Sequence, residues 1–154
     1  MTDNDRWFMN AYLKILLPKA ESAAGVSLIE HTMSEGFAVP LHVHNEEDET
    51  FYILEGKVRL FFVDAAGTGT DELLSAGDFA YVPAGTPHAY RVEEAARMTG
   101  TMTGGFERFF QHMGTPTDHA TTDQPPFVPD FPRMQAAAEQ HDMQFMPDYT
   151  WPDA

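Results

Sequence analysis

Three histidines and one glutamate stand out by residue type and spacing. His42 and His44 are two residues apart, Glu49 follows shortly after, and His88 lies well downstream, just past a proline-bounded turn. Side chains on a strand alternate between faces, so both imidazoles project from the same face. Glu49 opens the run Thr50 to Leu54, in which Phe51 and Ile53 share its parity, and Tyr90 shares that of His88. Three nitrogens and one carboxylate oxygen form a borderline donor set suited to Fe, Mn, Co, Ni, Cu or Zn. With four protein ligands, a metal that favours six-coordination keeps positions open for water, substrate or dioxygen. Such distant residues converge only if the sheet curls, as in a small barrel.

Rivals for these roles are few. Glu46 and Glu47 read as a solvated acidic loop. Asp48 fits a shorter spacing and is the main alternative to Glu49. Parity favours Glu49, because Asp48 shares its face with Thr50 and Tyr52 and leaves Phe51 and Ile53 on the other. His31, His112, His119 and His141 read as surface or structural residues. Zero cysteines remove thiolate nucleophiles, disulfides and Cys-ligated metals. No Gly-x-Ser-x-Gly elbow, Walker loop or Rossmann glycine fingerprint occurs.

The elements that must position this set read as strands. A chain of 154 residues argues for one domain. Residues 1–35 carry N-terminal strands. Residues 36–103 hold short β-branched and aromatic runs (50–54, 57–63, 79–82, 88–92 and 97–103) separated by Gly- and Pro-rich turns, the texture of an all-β sandwich or barrel. In the run 57–63, Val58, Leu60 and Phe62 are expected inside. Phe61 and Val63 then face outward, under a second layer or a subunit partner. Residues 104–154 change period. Phe106, Phe109, Phe110 and Met113 make a helical stripe ended by Gly114 and Pro116. After a Pro-rich connector, Asp130 caps a second expected helix from Phe131 to Gln140, with Met134, Ala137 and Ala138 on its apolar face. Both stripes are expected to pack on the barrel.

Charge narrows the partners. Nine Lys plus Arg against 24 Asp plus Glu give −15, which disfavours nucleic acid and anionic membranes. No apolar stretch approaches a membrane span and the N-terminal residues lack a signal pattern, so the expectation is a soluble cytoplasmic protein.

Two ordered motifs contain the four residues. Gly36, five residues, His42-Val43-His44, four residues, Glu49, six residues and Gly56 form the first. Gly77, five residues, Pro83-Ala84-Gly85, two residues and His88 form the second. Together they resemble the two-part signature of the cupin superfamily, with every metal-ligand position filled. Val92 departs from the usual Asn, which is not a ligand there. The resemblance implies a jelly-roll (double-stranded β-helix) barrel with short C-terminal helices. Residues 36–151, including the segments Gly105 to Phe110, Pro126 to Pro129 and Phe145 to Trp151, are similar to small bacterial single-cupin flavonol dioxygenases of the quercetin 2,3-dioxygenase type. This similarity implies a homodimer with one divalent metal per barrel (Ni, Co, Mn or Fe, with Zn or Cu also accommodated). His42, His44, Glu49 and His88 are the implied ligands. Glu49 is also the implied base, taking a hydroxyl proton from a small aromatic substrate whose ring opens with O2 and loses carbon monoxide. Phe37, Phe51, Ile53, Tyr90, Met102, Phe106 and Phe110 are the expected pocket walls. A non-redox isomerase or cyclase and a non-catalytic binding cupin are the alternatives, because fold does not choose among them.

Overall fold

The computed structural model describes residues 5–117, 130–146 and 148. In chain order they form β1 (Asp5–Phe8), β2 (Ala11–Leu17), a 3₁₀ turn (Lys19–Glu21), β3 (Ser27–Met33), β4 (Ala38–His44), β5 (Glu49–Val63), β6 (Gly69–Ser75), β7 (Phe79–Val82), β8 (His88–Met102), α1 (Glu107–Met113), β9 (Thr115–Pro116), α2 (Phe131–Gln140) and β10 (Met143–Phe145). His119, the connector 124–129 and most of the segment 147–151 lie outside the described residues.

All strand pairs are antiparallel, and β5 with β8 forms the spine. These two long strands pair from Glu49 opposite Met102 to Phe62 opposite His88. On its other edge β5 pairs β7 with its first half and β6 with its second. β8 likewise pairs β4 near its start and β3 near its end. Each long strand thus serves two halves of the sheet, which is how the sheet curls around an interior.

The sequence expectation of separate strands at 50–54 and 57–63 is corrected here, as is that at 88–92 and 97–103. Gly56 is not a turn residue but a bend inside one strand, with φ +78°. A Cβ there would lie 2.1 Å from the carbonyl oxygen of Ala95, so only glycine lets the strands approach at the bend. The register slips on both sides of it, as expected where an irregularity increases local twist.

The core runs through Ile15, Ile29, Ile53, Val58, Val92 and Met98, each at most 2% exposed. Val58 and Leu60 are inside as expected, and Phe62 is half-buried against the same cluster. Phe61, expected to face outward, is buried with Leu41 and Ala89 in a small second cluster, with Val63 against it. The two helices fall where the apolar spacing put them. The Asp130 side chain accepts the Arg133 backbone N–H at 3.1 Å, capping α2. Met134, Ala137 and Ala138 are its buried face. β10 then pairs with β4, beside the histidines. Among the described residues, no helix is long and apolar enough to cross a membrane.

Candidate metal centre

The ligand candidates come from three strands. β4 supplies His42 and His44 on its inner face, while Leu41, of opposite parity, lies in the outer cluster. Glu49 opens β5, and His88 opens β8 directly opposite His42. All four are buried, and one donor atom from each lies within 4.8 Å of the others. His42 is 4.3 Å from His88 and 4.9 Å from His44 between ring centroids.

Backbone carbonyls fix two of the imidazoles. His42 Nδ1 donates to Pro40 O at 2.8 Å and His88 Nδ1 donates to Thr86 O at 2.9 Å. With Nδ1 occupied, Nε2 is the nitrogen left to face the centre. Both ring nitrogens of His44 are buried without a hydrogen-bond partner. Its Nε2 stands 3.7 Å from Glu49 Oε2 and its Nδ1 stands 3.8 Å from Glu47 Oε2. Buried polar atoms left unpaired are costly, and an ion held by Nε2 of His44 would remove part of that cost. The donor set, the tautomers and the orphaned imidazole therefore fit a bound transition metal.

The charges reinforce this. Burial pushes the His44 pKa down to about 4, with Glu49 opposing, and holds His42 well below its ordinary value. Burial acts to raise Glu49, but the hydrogen bond from His88 and the surrounding imidazoles outweigh it and bring the carboxyl to about 2. An ionised carboxylate beside His42 and His44, whose charged forms burial disfavours, suits a cation.

The structure separates Asp48 from Glu49. Asp48 turns away, accepting the Ala84 backbone N–H at 2.8 Å, while its own N–H donates to Thr103 Oγ1. Glu47 is a correction, since it is buried rather than solvated. Burial, then the charges of Asp142, Glu49 and Glu107, push its pKa up to about 8. Nothing in the spacing of a loop signals this.

His31 is also buried, and its Nε2 has no partner. Alternation along β3 could have found it, because Ser27, Ile29 and Met33 share its parity and are all buried. His112 and His141 pair at the surface, Nδ1 to Nε2 at 3.3 Å.

Of the expected pocket residues, Phe106 packs on His44 with centroids 4.3 Å apart, and Phe51 lies 6.3 Å from His88. Met102 is opposite Glu49 in register. Phe110 meets Phe106 at 5.3 Å and His31 at 5.8 Å. Tyr90 contacts Phe51 and Phe37. Ile53 is fully buried in the core. The tail adds Phe145, opposite His42 in register with centroids 6.3 Å apart. Phe145 also lines an apolar groove of about 690 Å³ with Met134, Ala138 and Met143.

Residues 29–102 match the family model described as Cupin domain. A quercetin 2,3-dioxygenase of Bacillus subtilis (strain 168) is 38% identical over 96 residues, which cover 61% of this chain and 26% of that protein. One from Aspergillus japonicus is 31% identical over 98 residues, covering 62% and 27%. Oxalate decarboxylase from Bacillus subtilis superposes with a TM-score of 0.58 at 25% identity, over 66% of this chain and 27% of that one. The chain spans about a quarter of the length of these relatives. Residues 29–102 are thus similar to the Cupin domain family, and the chain is similar to quercetin 2,3-dioxygenases.

Proposed function

We propose that this protein is a cupin and a metal-dependent dioxygenase that opens the heterocyclic ring of a flavonol or a related enolisable phenol with O2. The observation that carries the reading is the buried His42–His44–Glu49–His88 cluster, in a chain similar to two quercetin 2,3-dioxygenases. A divalent ion there (Ni, Co, Mn or Fe, with Zn or Cu also accommodated) supplies Lewis acidity toward the substrate hydroxyl and sites for exchange. His42, His44 and His88 hold it, with Pro40 O and Thr86 O fixing two ring orientations. Glu49 is both ligand and base. Its carboxylate stays ionised well below neutral pH and accepts the hydroxyl proton within hydrogen-bond reach. Phe51, Phe106 and Met102 keep water from the reacting face, and Phe110 closes over Phe106. A neutral phenol that loses its proton only at the centre also suits a chain of charge −15.

The reading carries a homodimer with it. Tyr52, Phe79 and Tyr81 share an outer face of β5 and β7 and are 42%, 60% and 54% exposed, an apolar surface for a second copy.

The test is an oxygen-electrode assay on metal-loaded protein with quercetin, with carbon monoxide trapped in parallel. Oxygen uptake matched by carbon monoxide, and lost in Glu49→Gln, is the expected result. No uptake with any flavonol or 3-hydroxyquinolone rejects the reading.

A further inference from the structure

His31 lies on the inner face of β3, flanked in register by Leu13 on β2 and Met98 on β8. It is 8% exposed, its Nε2 has no hydrogen-bond partner, and its ring meets the edge of Phe110 at 5.8 Å. A strand interior offers no reason for such a residue. Leucine or phenylalanine would fill the place without stranding a polar atom, and an unpaired buried group costs about 1–3 kcal/mol. A buried polar atom left unsatisfied has room for a partner that arrives from outside the chain.

The space it faces identifies that partner. His31 and Glu49 line one cleft together with Ile29, Phe51, Met98 and Met102. The void is about 10 Å³, on the scale of a single water-sized sphere. Thr50 and Thr99 also line it, but their hydroxyls are engaged with Thr101 and with the Ile29 carbonyl, which leaves the His31 imidazole and the Glu49 carboxylate as its polar ends. A carboxylate only accepts, so the guest atom must donate a proton toward Glu49. In the tautomer that carries its proton on Nε2 the imidazole donates there, so the same atom accepts from His31. A hydroxyl oxygen does both. A carbonyl or ether oxygen cannot donate, and an ammonium cannot accept. Water fills the same role when no ligand is bound.

We propose that His31 is the residue that selects a hydroxyl-bearing aromatic ligand, its Nε2–H holding the oxygen of a phenol or enol whose proton points at Glu49. This deepens the dioxygenase reading and rests on the same site. His31 is a ligand-binding residue in this reading: it holds the oxygen and orients the hydroxyl whose proton Glu49 takes.

Zinc-loaded protein kept free of O2, and so without the co-substrate for turnover, tests this by calorimetry on matched pairs: 3-hydroxyflavone against flavone, and phenol against toluene. Wild type is expected to prefer the hydroxylated member of each pair. His31→Leu, at unchanged zinc content, is expected to lose about tenfold of that preference through weaker binding of the hydroxylated ligand alone, and His31→Gln to restore part of it. Independently of any variant, the Nε2 resonance of His31 in ¹⁵N-labelled wild type is expected to shift with 3-hydroxyflavone or phenol and not with flavone or toluene. An equal hydroxyl preference in wild type and His31→Leu, or an Nε2 resonance indifferent to the hydroxyl, overturns the proposal. If the phenol pair behaves as expected while neither flavonoid binds, His31 keeps its role and the flavonol reading falls. If no hydroxylated ligand binds, both fall.

Discussion

His88 reaches Glu49 Oε2 through Nε2 at 2.9 Å while its Nδ1 is already 2.9 Å from the carbonyl oxygen of Thr86. Both partners are acceptors, so both ring nitrogens must carry protons, and without a metal His88 is an imidazolium. Burial acts to lower its pKa, but the hydrogen bond and charge of Glu49 prevail and raise it. A metal ion must displace the Nε2 proton. Binding of Mn, Ni or Zn at pH 7 is therefore expected to release about one proton per site, read with an indicator dye in weak buffer. Affinity should rise with pH. His88→Ala should bind far more weakly and release no such proton.

Asp48 and Glu49 are neighbours with separate tasks, one pinning the Ala84 turn and the other facing the imidazoles. Asp48→Ala is expected to cost about 1 kcal/mol in stability, from the lost hydrogen bonds, with metal content unchanged by elemental analysis. Glu49→Gln should do the reverse, leaving the fold intact and lowering metal affinity by about 100-fold or more. Metal loss in Asp48→Ala at full stability would reassign the ligand.

Glu47 faces the Nδ1 of His44 at 3.8 Å, close enough to tighten onto it once Nε2 is committed to an ion. Carboxylates behind metal-bound histidines set ring orientation and basicity. Glu47→Ala should weaken metal binding by about 10–100-fold in a competition titration with a chelating dye.

Gly100 sits where β8 passes β5 beside the site, and a Cβ there would fall 1.9 Å from the Thr50 carbonyl oxygen. Since backbone atoms cannot yield as a side chain does, Gly100→Ala is expected to cost about 3 kcal/mol or more in a denaturant titration. It should also reduce metal loading, because Thr50 adjoins Glu49.

Acid should destabilise the metal-free protein. His31 and His44 are held near 4 by burial, and His42 lies well below its ordinary value. As pH falls below the ordinary imidazole value of about 6.5, the unfolded chain takes up protons that the folded one refuses. Stability therefore rises with pH from about 4 to 6.5 and is lost in the opposite direction. His88 runs the other way, its contribution full below about 6.5 and lost as pH rises through its folded value. Three groups oppose one, so the urea midpoint is expected to fall from pH 7 to pH 5. In His31→Leu that fall should shrink by on the order of 2 kcal/mol.

The clustering of the four residues was legible because two ordered motifs hold them and strand parity is strict. His42 and His44 had to share a face, and Glu49 had to share one with Phe51. The α2 cap and face were legible for the same reason, with a period of 3.6 in place of two. The long strands were hidden because Gly56 reads locally as a turn, and only its contact with Ala95 makes it a bend. Phe61 was misplaced because parity names a face without saying what covers it. Leu41 and Ala89, distant in sequence, do so. β10 is a three-residue strand placed by the edge of β4, and a single segment carries no sign of its partner.

The pairing of β5 with β8 bears on the order of assembly. His42, His44 and Glu49 lie close together in the chain and could gather early. His88 reaches them only when two fifteen-residue strands have aligned across the segment that carries β6 and β7, and contacts between distant segments form late because loop closure costs entropy first. An ion meeting the chain during synthesis finds an incomplete grip. Full capture waits for the finished spine, so metal uptake inspects the barrel after folding rather than templating it.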